Sequence, residues 1–157
     1  MREILSHSVE ETEKAAREWL FGISQAKDET ISLQERAVVI GLRGNLGSGK
    51  TRFVQAVASE LGIGETVTSP TFVILKKYKI SNEKFTEQFQ HLIHIDAYRL
   101  ENAKELAAIG FDELVNNRKN LIFIEWPERV IEILPKFTDV IQFTFMDENT
   151  RKIEVTV

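Results

Sequence analysis

Residues 44 to 51 read GNLGSGKT and fill every fixed position of the pattern G-x-x-x-x-G-K-[ST]. Gly44, Gly47 and Gly49 permit backbone angles closed to other residues, so the N–H groups of the loop, those of Asn45, Leu46 and Ser48 among them, can converge on phosphate oxygens. A helix opening at Lys50 would add the unpaired donors of its first turn, through Thr51 and Arg52, and the positive end of its dipole. Lys50 brings a point charge to the outer phosphates of a nucleotide, and the Thr51 hydroxyl suits Mg²⁺. Of the chain's eight glycines, four (Gly41, Gly44, Gly47 and Gly49) fall within nine positions, so backbone freedom is concentrated at one place.

Such a loop needs a carboxylate to hold the metal, usually at the end of a neighbouring buried strand. Two residues qualify: Asp96 after HLIHI, and Glu125 after LIFI. His94 lies two positions before Asp96 and therefore faces the same side of that strand. The chain contains neither an N-K-x-D guanine reader nor a D-x-x-G switch, which makes ATP the expected nucleotide. An ATPase, a small-molecule kinase and a non-catalytic nucleotide-binding regulator all fit these residues, although the chain is short for a kinase and its arginines are scattered.

The surrounding pattern supplies the elements that must position this chemistry. Ala37 to Leu42, AVVIGL, suits a strand buried on both faces, and Phe53, Val54, Val57, Ala58 and Leu61 form the stripe of a helix from Lys50 to Leu61 that Gly62 stops. Ser8 and Glu11 form a capping box for a first helix over Val9 to Phe21. Phe72 to Ile80 and Phe89 to Ile95 read as strands joined by a loose hairpin, Asn102 with Glu105 caps a helix over Ala103 to Ile109, and Leu121 to Ile124 is a further buried strand. The segment DVIQFTFMDENTRKIEVTV alternates on either side of a DENT turn and predicts an antiparallel hairpin at the sheet edge. The fold class expected is α/β, a three-layer P-loop NTPase-like sandwich with a mixed sheet and a C-terminal antiparallel hairpin, in one domain over residues 1–157.

Composition narrows the function classes. With no cysteine, disulfide frameworks, thiol catalysis and thiolate zinc sites are excluded. The formal net charge of −4 disfavours an autonomous nucleic-acid binder. MREILSHSVEETEKAAREWL is too charged for a signal-peptide core, and no apolar run approaches the roughly 20 residues of a bilayer span, so a cytoplasmic protein without membrane contact is expected.

GNLGSGKT at 44–51, TSPTF at 68–72, HIDAYR at 94–99 and EWPE at 125–128, in this order and in a chain of this size, resemble the TsaE (YjeE) family of small bacterial ATPases required for threonylcarbamoyladenosine (t6A) biosynthesis in tRNA. The resemblance spans about Ser8 to Pro135. It implies that Lys50 and the loop backbone bind the phosphates of ATP or ADP, with Thr51 and Glu125 as Mg²⁺ ligands. It implies further that Ser69, Pro70 and Thr71 form a switch-like segment, and that Asp96 orients the attacking water or supports the metal. His94, Tyr98 and Arg99 would shape that site or a partner contact. VEETEKAA resembles the family's nucleotide-proximal stretch and makes Thr12 a candidate contact; Trp126 would pack beside the site or in the core. The implied partners are TsaB and TsaD, with tRNA reached only through their complex. The family usually carries Asp where this chain has Asn45, so a local charge is missing while the phosphate pattern is unaffected.

Overall fold

The computed structural model describes residues 2–30, 35–70 and 72–156, with the backbone alone at 26–30. Seven strands form one mixed sheet: β1 (Arg2–Ser6), β2 (Val38–Arg43), β3 (Leu75–Lys79), β4 (His91–Asp96), β5 (Asn120–Glu125), β6 (Asp139–Phe145) and β7 (Arg151–Val155). The helices are α1 (Val9–Thr30), α2 (Lys50–Glu60), α3 (Glu83–Thr86), α4 (Ala103–Ala108) and α5 (Phe111–Val115), with single 3-10 turns at Pro127–Arg129 and Ile131–Ile133. The strand order is β1-β7-β6-β2-β5-β4-β3. Strands β6, β2, β5 and β4 run parallel, and β7, β1 and β3 are joined by antiparallel pairings.

Alternation along the central strands builds the three layers. Ile40 and Leu42 of β2, with Leu121 and Phe123 of β5, face a cluster that includes Trp19 and Leu20 of α1 and Phe53, Val54 and Val57 of α2. Val39, Ile122 and Ile124 point the other way, against Leu106 of α4, Phe111 of α5 and Val130 beyond the first 3-10 turn. Because both faces are covered, β5 is buried along its whole length, as an apolar parallel strand requires.

Phe53 ties α2 to this framework. It is 1% exposed, and its ring centre lies 5.7 Å from Trp19 and 5.5 Å from Phe143, the latter edge to face. Phe53→Ala should cost about 3–5 kcal/mol through lost burial and the cavity left behind, and lower Tm on the order of 10 °C. A thermal melt showing no shift would contradict this packing.

The structure revises several expected boundaries. The C-terminal hairpin is antiparallel as expected, but it is not at the edge: β1 pairs with β7 and forms that edge, while β6 pairs in parallel with β2. Helix α1 continues past Phe21 to Thr30, since Phe21 stacks on Phe85 at 5.6 Å and Gln88 donates to the Ser24 carbonyl at 2.8 Å. Strand β3 starts at Leu75, because Ile74 has a φ of 65° and its N–H closes a turn on the Pro70 carbonyl at 2.8 Å. The connection between β3 and β4 contains α3, capped by the side chain of Asn82, and the capping box of Asn102 and Glu105 forms as read.

Candidate active site

The loop 44–49 leaves the C-terminal end of β2 and delivers the chain into α2. Its shape depends on glycine. At φ 144°, a Cβ on Gly44 would lie 2.4 Å from the Phe143 carbonyl oxygen and 2.7 Å from Ser48 Oγ; Gly49, at φ 104°, is the left-handed residue just before α2. Lys50 folds back over the loop, and its Nζ donates to the carbonyl oxygens of Gly44 at 2.6 Å and Asn45 at 3.0 Å. The same ammonium sits 4.9 Å from the centre of the Trp126 ring. Burial lowers the Lys50 pKa from the ordinary lysine value, opposed by the negative charges of Glu125, Asp96 and Glu128.

Two parallel strands bring the carboxylates to the loop. In the sheet register Leu42 of β2 lies opposite Glu125 of β5, which in turn lies opposite Asp96 of β4, so both carboxylates end strands beside the loop. Glu125, 4% exposed, accepts from Thr51 Oγ1 at 3.1 Å, and its Oε1 stands 2.9 Å from His94 Nε2. His94 is fully buried, and its Nδ1 makes no hydrogen bond. That leaves Nε2 as the nitrogen that donates to Glu125 and fixes the carboxylate's direction. Asp96 uses its two oxygens separately: Oδ2 accepts from Ser69 Oγ at 2.9 Å and Oδ1 from the Tyr98 N–H at 2.9 Å. His94 and Asp96 thus share a strand face but support different groups.

Lys50, Thr51, Ser69, Asp96, Glu125 and Trp126 border one cleft of about 400 Å³. Thr51 and Glu125 place a hydroxyl and a carboxylate oxygen together at the loop, a donor set that suits Mg²⁺ in company with phosphate oxygens. Trp126, at φ 59°, is in the left-handed region; it packs partly on the second core and also walls the cleft. Tyr98 packs on Trp126 with ring centres 5.1 Å apart, whereas Arg99 lies over the exposed ring of Phe72 at 4.5 Å. Arg52 pairs loosely with Glu13 at 3.9 Å. Thr71 lies outside the described residues.

Thr12 is not in this cleft. It is buried with its hydroxyl bonded to Ser6 Oγ at 2.7 Å, and it lines a second cleft of about 250 Å³ together with Glu148 and Asn149 of the β6–β7 turn. In sequence the DENT segment reads only as a turn, and no local signal marks it otherwise.

A glycine loop joining a buried parallel strand to a helix, beside two strands that end in carboxylates, defines a P-loop NTPase-like domain. The family model for "Threonylcarbamoyl adenosine biosynthesis protein TsaE" matches residues 6–153, and the chain belongs to the TsaE family, whose members take part in t6A biosynthesis in tRNA. The tRNA threonylcarbamoyladenosine biosynthesis protein TsaE of Treponema pallidum is 39% identical over 123 residues, 78% of this chain and 84% of the relative. That of Aquifex aeolicus is 32% identical over 158 residues, 99% of this chain and 96% of the relative. Among solved structures, Bacillus subtilis YdiB superposes with a TM-score of 0.69 at 26% identity, covering 99% of this chain and 84% of that one.

Proposed function

We propose that this chain is a single-domain, Mg²⁺-dependent ATPase subunit of the t6A tRNA modification machinery, acting with TsaB and TsaD. The observation that carries the reading is the meeting of Lys50, Thr51, Asp96 and Glu125 in one cleft at the ends of β2, β4 and β5. The loop N–H groups and the Lys50 ammonium bind and neutralise the ATP phosphates. Thr51 and Glu125 would hold Mg²⁺, which would supply positive charge to the phosphates there. Asp96 orients the attacking water, and Ser69, hydrogen-bonded to it, links the 69–72 segment to the state of the site. His94 is a positioning residue for Glu125.

Membership in the TsaE family supports the pathway, and the net charge of −4 supports contact with tRNA only through the complex. Among the described residues no helix is long and apolar enough to cross a membrane, which supports a cytoplasmic place beside tRNA. Alone, the chain should hydrolyse MgATP slowly, with no turnover in EDTA. Capture by a TsaB–TsaD pair should depend on whether ADP, ATP or a non-hydrolysable analogue is present, and hydrolysis should rise on capture. Absence of any affinity for that pair under all three conditions would end the subunit reading.

A further inference from the structure

The core between α1 and the sheet thins out at the end of the sheet away from the glycine loop. Strand β6 runs parallel to β2, so its first residue, Asp139, stands at the end opposite to the loop that β2 feeds. Pairing of Val155 with both Ile141 and Arg2 brings the start of β1 and the end of β7 to the same corner. Over this corner α1 lays Ala15, Trp19, Gly22 and Ile23, a stripe at helical spacing in which two members have little or no side chain. Trp19 packs toward the centre, its ring 5.7 Å from Phe53 and 5.5 Å from Phe123. A cleft of about 230 Å³ is left between the helix and the three strands.

The chemistry of this corner cleft is uneven. Ile4, Ile141 and Val155, one from each strand, make an apolar floor, and Ile4 and Ile23 stay only partly buried although they pack on the core. At Gly22 a Cβ would meet no atom within 4 Å, so the helix side of the mouth is open. Three charged side chains border the cleft. Arg2 donates to Glu18 at 2.8 Å, bridging β1 to α1, and these two charges offset each other. Asp139 alternates with Ile141 and Phe143 toward the same sheet face and lies at the exposed start of β6. Among the described residues no cation pairs with it, and the apolar groups around it raise its pKa through desolvation. An apolar hole of about 150 Å³ is enough to hold benzene, so this cleft has room for one ring and a short arm. A ligand with an apolar body and a positive head suits it: the body covers the floor, and the head stays at the mouth beside the one carboxylate left without a counter-charge.

We propose that the corner beneath α1 is a separate binding site for a small primary amine carrying one ring or a branched aliphatic group, with its apolar body on Ile4, Ile141 and Val155 and its ammonium on Asp139. Methyl NMR titration of the full chain with 2-phenylethylamine, 2-phenylethanol and phenylacetate tests it, since these probes share a body and differ in the charge of the head. The titrations are repeated on Asp139→Asn, on Gly22→Leu, which fills the mouth, and on the milder Gly22→Ala.

Saturable shifts should centre on the methyl groups of Ile4, Ile23, Ile141 and Val155, with a Kd for the amine on the order of 1 mM. A partly exposed ion pair is worth little, so the amine should bind about 5-fold tighter than the alcohol, with phenylacetate weakest. Asp139→Asn should bind amine and alcohol alike. Gly22→Leu should abolish the shifts and Gly22→Ala weaken them, while both raise Tm because glycine is a poor helix former. Shifts that grow linearly to the solubility limit would overturn the proposal, as would equal wild-type affinity for amine and alcohol. So would shifts that survive in folded Gly22→Leu, or a preference for the amine kept by Asp139→Asn.

Discussion

Lys50→Ala should remove measurable ATP hydrolysis, a loss of roughly 10³-fold or about 4 kcal/mol of transition-state stabilisation, while leaving the fold intact. The activity effect follows from position: Lys50 is 5% exposed as a residue, its ammonium is held on the loop by two carbonyls, and it shares its cleft with Glu125 and Asp96. In such a place a point charge acts at lower effective dielectric than in water, and among the described residues no other lysine lines the cleft. The stability effect is small for two reasons. The carbonyls of Gly44 and Asn45 belong to partly or fully exposed residues that water can satisfy, and removing a buried cation removes its desolvation cost.

A pH dependence comes with it. Burial holds the Lys50 pKa below the ordinary value of 10.5, so in the folded chain the charge is lost earlier as pH rises than in the unfolded chain. Between the folded pKa and 10.5 the unfolded state binds more protons, and this group's contribution to stability rises with pH, while nucleotide affinity falls. Binding curves should therefore show an alkaline decline beginning below that of a free lysine, absent in Lys50→Ala. Near-wild-type turnover of the variant would refute the assigned role.

How far this arrangement is legible in the sequence depends on how local each feature is. The glycine loop is one uninterrupted segment whose residue types each answer to its own backbone, and the strand and helix on either side carry clean periodicities. Asp96 and Glu125 are legible for a similar reason, since each ends a short apolar run. What joins them is not local. Nothing near Thr51 announces a hydrogen bond to a residue 74 positions away, or that His94 meets Glu125 while Asp96 meets Ser69.

The same holds for the sheet. The five residues of β1 are mostly exposed, so they carry no alternation to read, and the strand exists because β7 offers it an edge. Without β1, the hairpin looks like the end of the sheet. Trp126 adopts its left-handed backbone because its N–H bonds the Leu42 carbonyl at 3.3 Å and its ring is held between Lys50 and Tyr98. Those are tertiary contacts that no aromatic residue in a sequence reveals by itself.

Comparing Glu125→Ala with Glu125→Gln should separate catalysis from structure. Either change removes the one negative charge that meets both the Thr51 hydroxyl and the His94 ring, and either should lower hydrolysis by roughly 10²- to 10³-fold. The two differ in what they leave behind. Alanine deprives the buried His94 Nε2 and the Thr51 hydroxyl of their acceptor, an unmet hydrogen-bonding cost of about 1–3 kcal/mol that a thermal melt should register. Glutamine keeps an acceptor oxygen at nearly the same place, so its melt should stay close to wild type while turnover is lost.

Magnesium titrations carry the decisive contrast. If Glu125 holds the metal through its charge, the Mg²⁺ concentration for half-maximal residual activity must rise in Glu125→Gln although the hydrogen bonds to Thr51 and His94 survive. A variant with wild-type magnesium dependence and normal stability would reduce Glu125 to a structural strand end and move the metal's protein ligand elsewhere, with Asp96 the nearest carboxylate across the β4–β5 register.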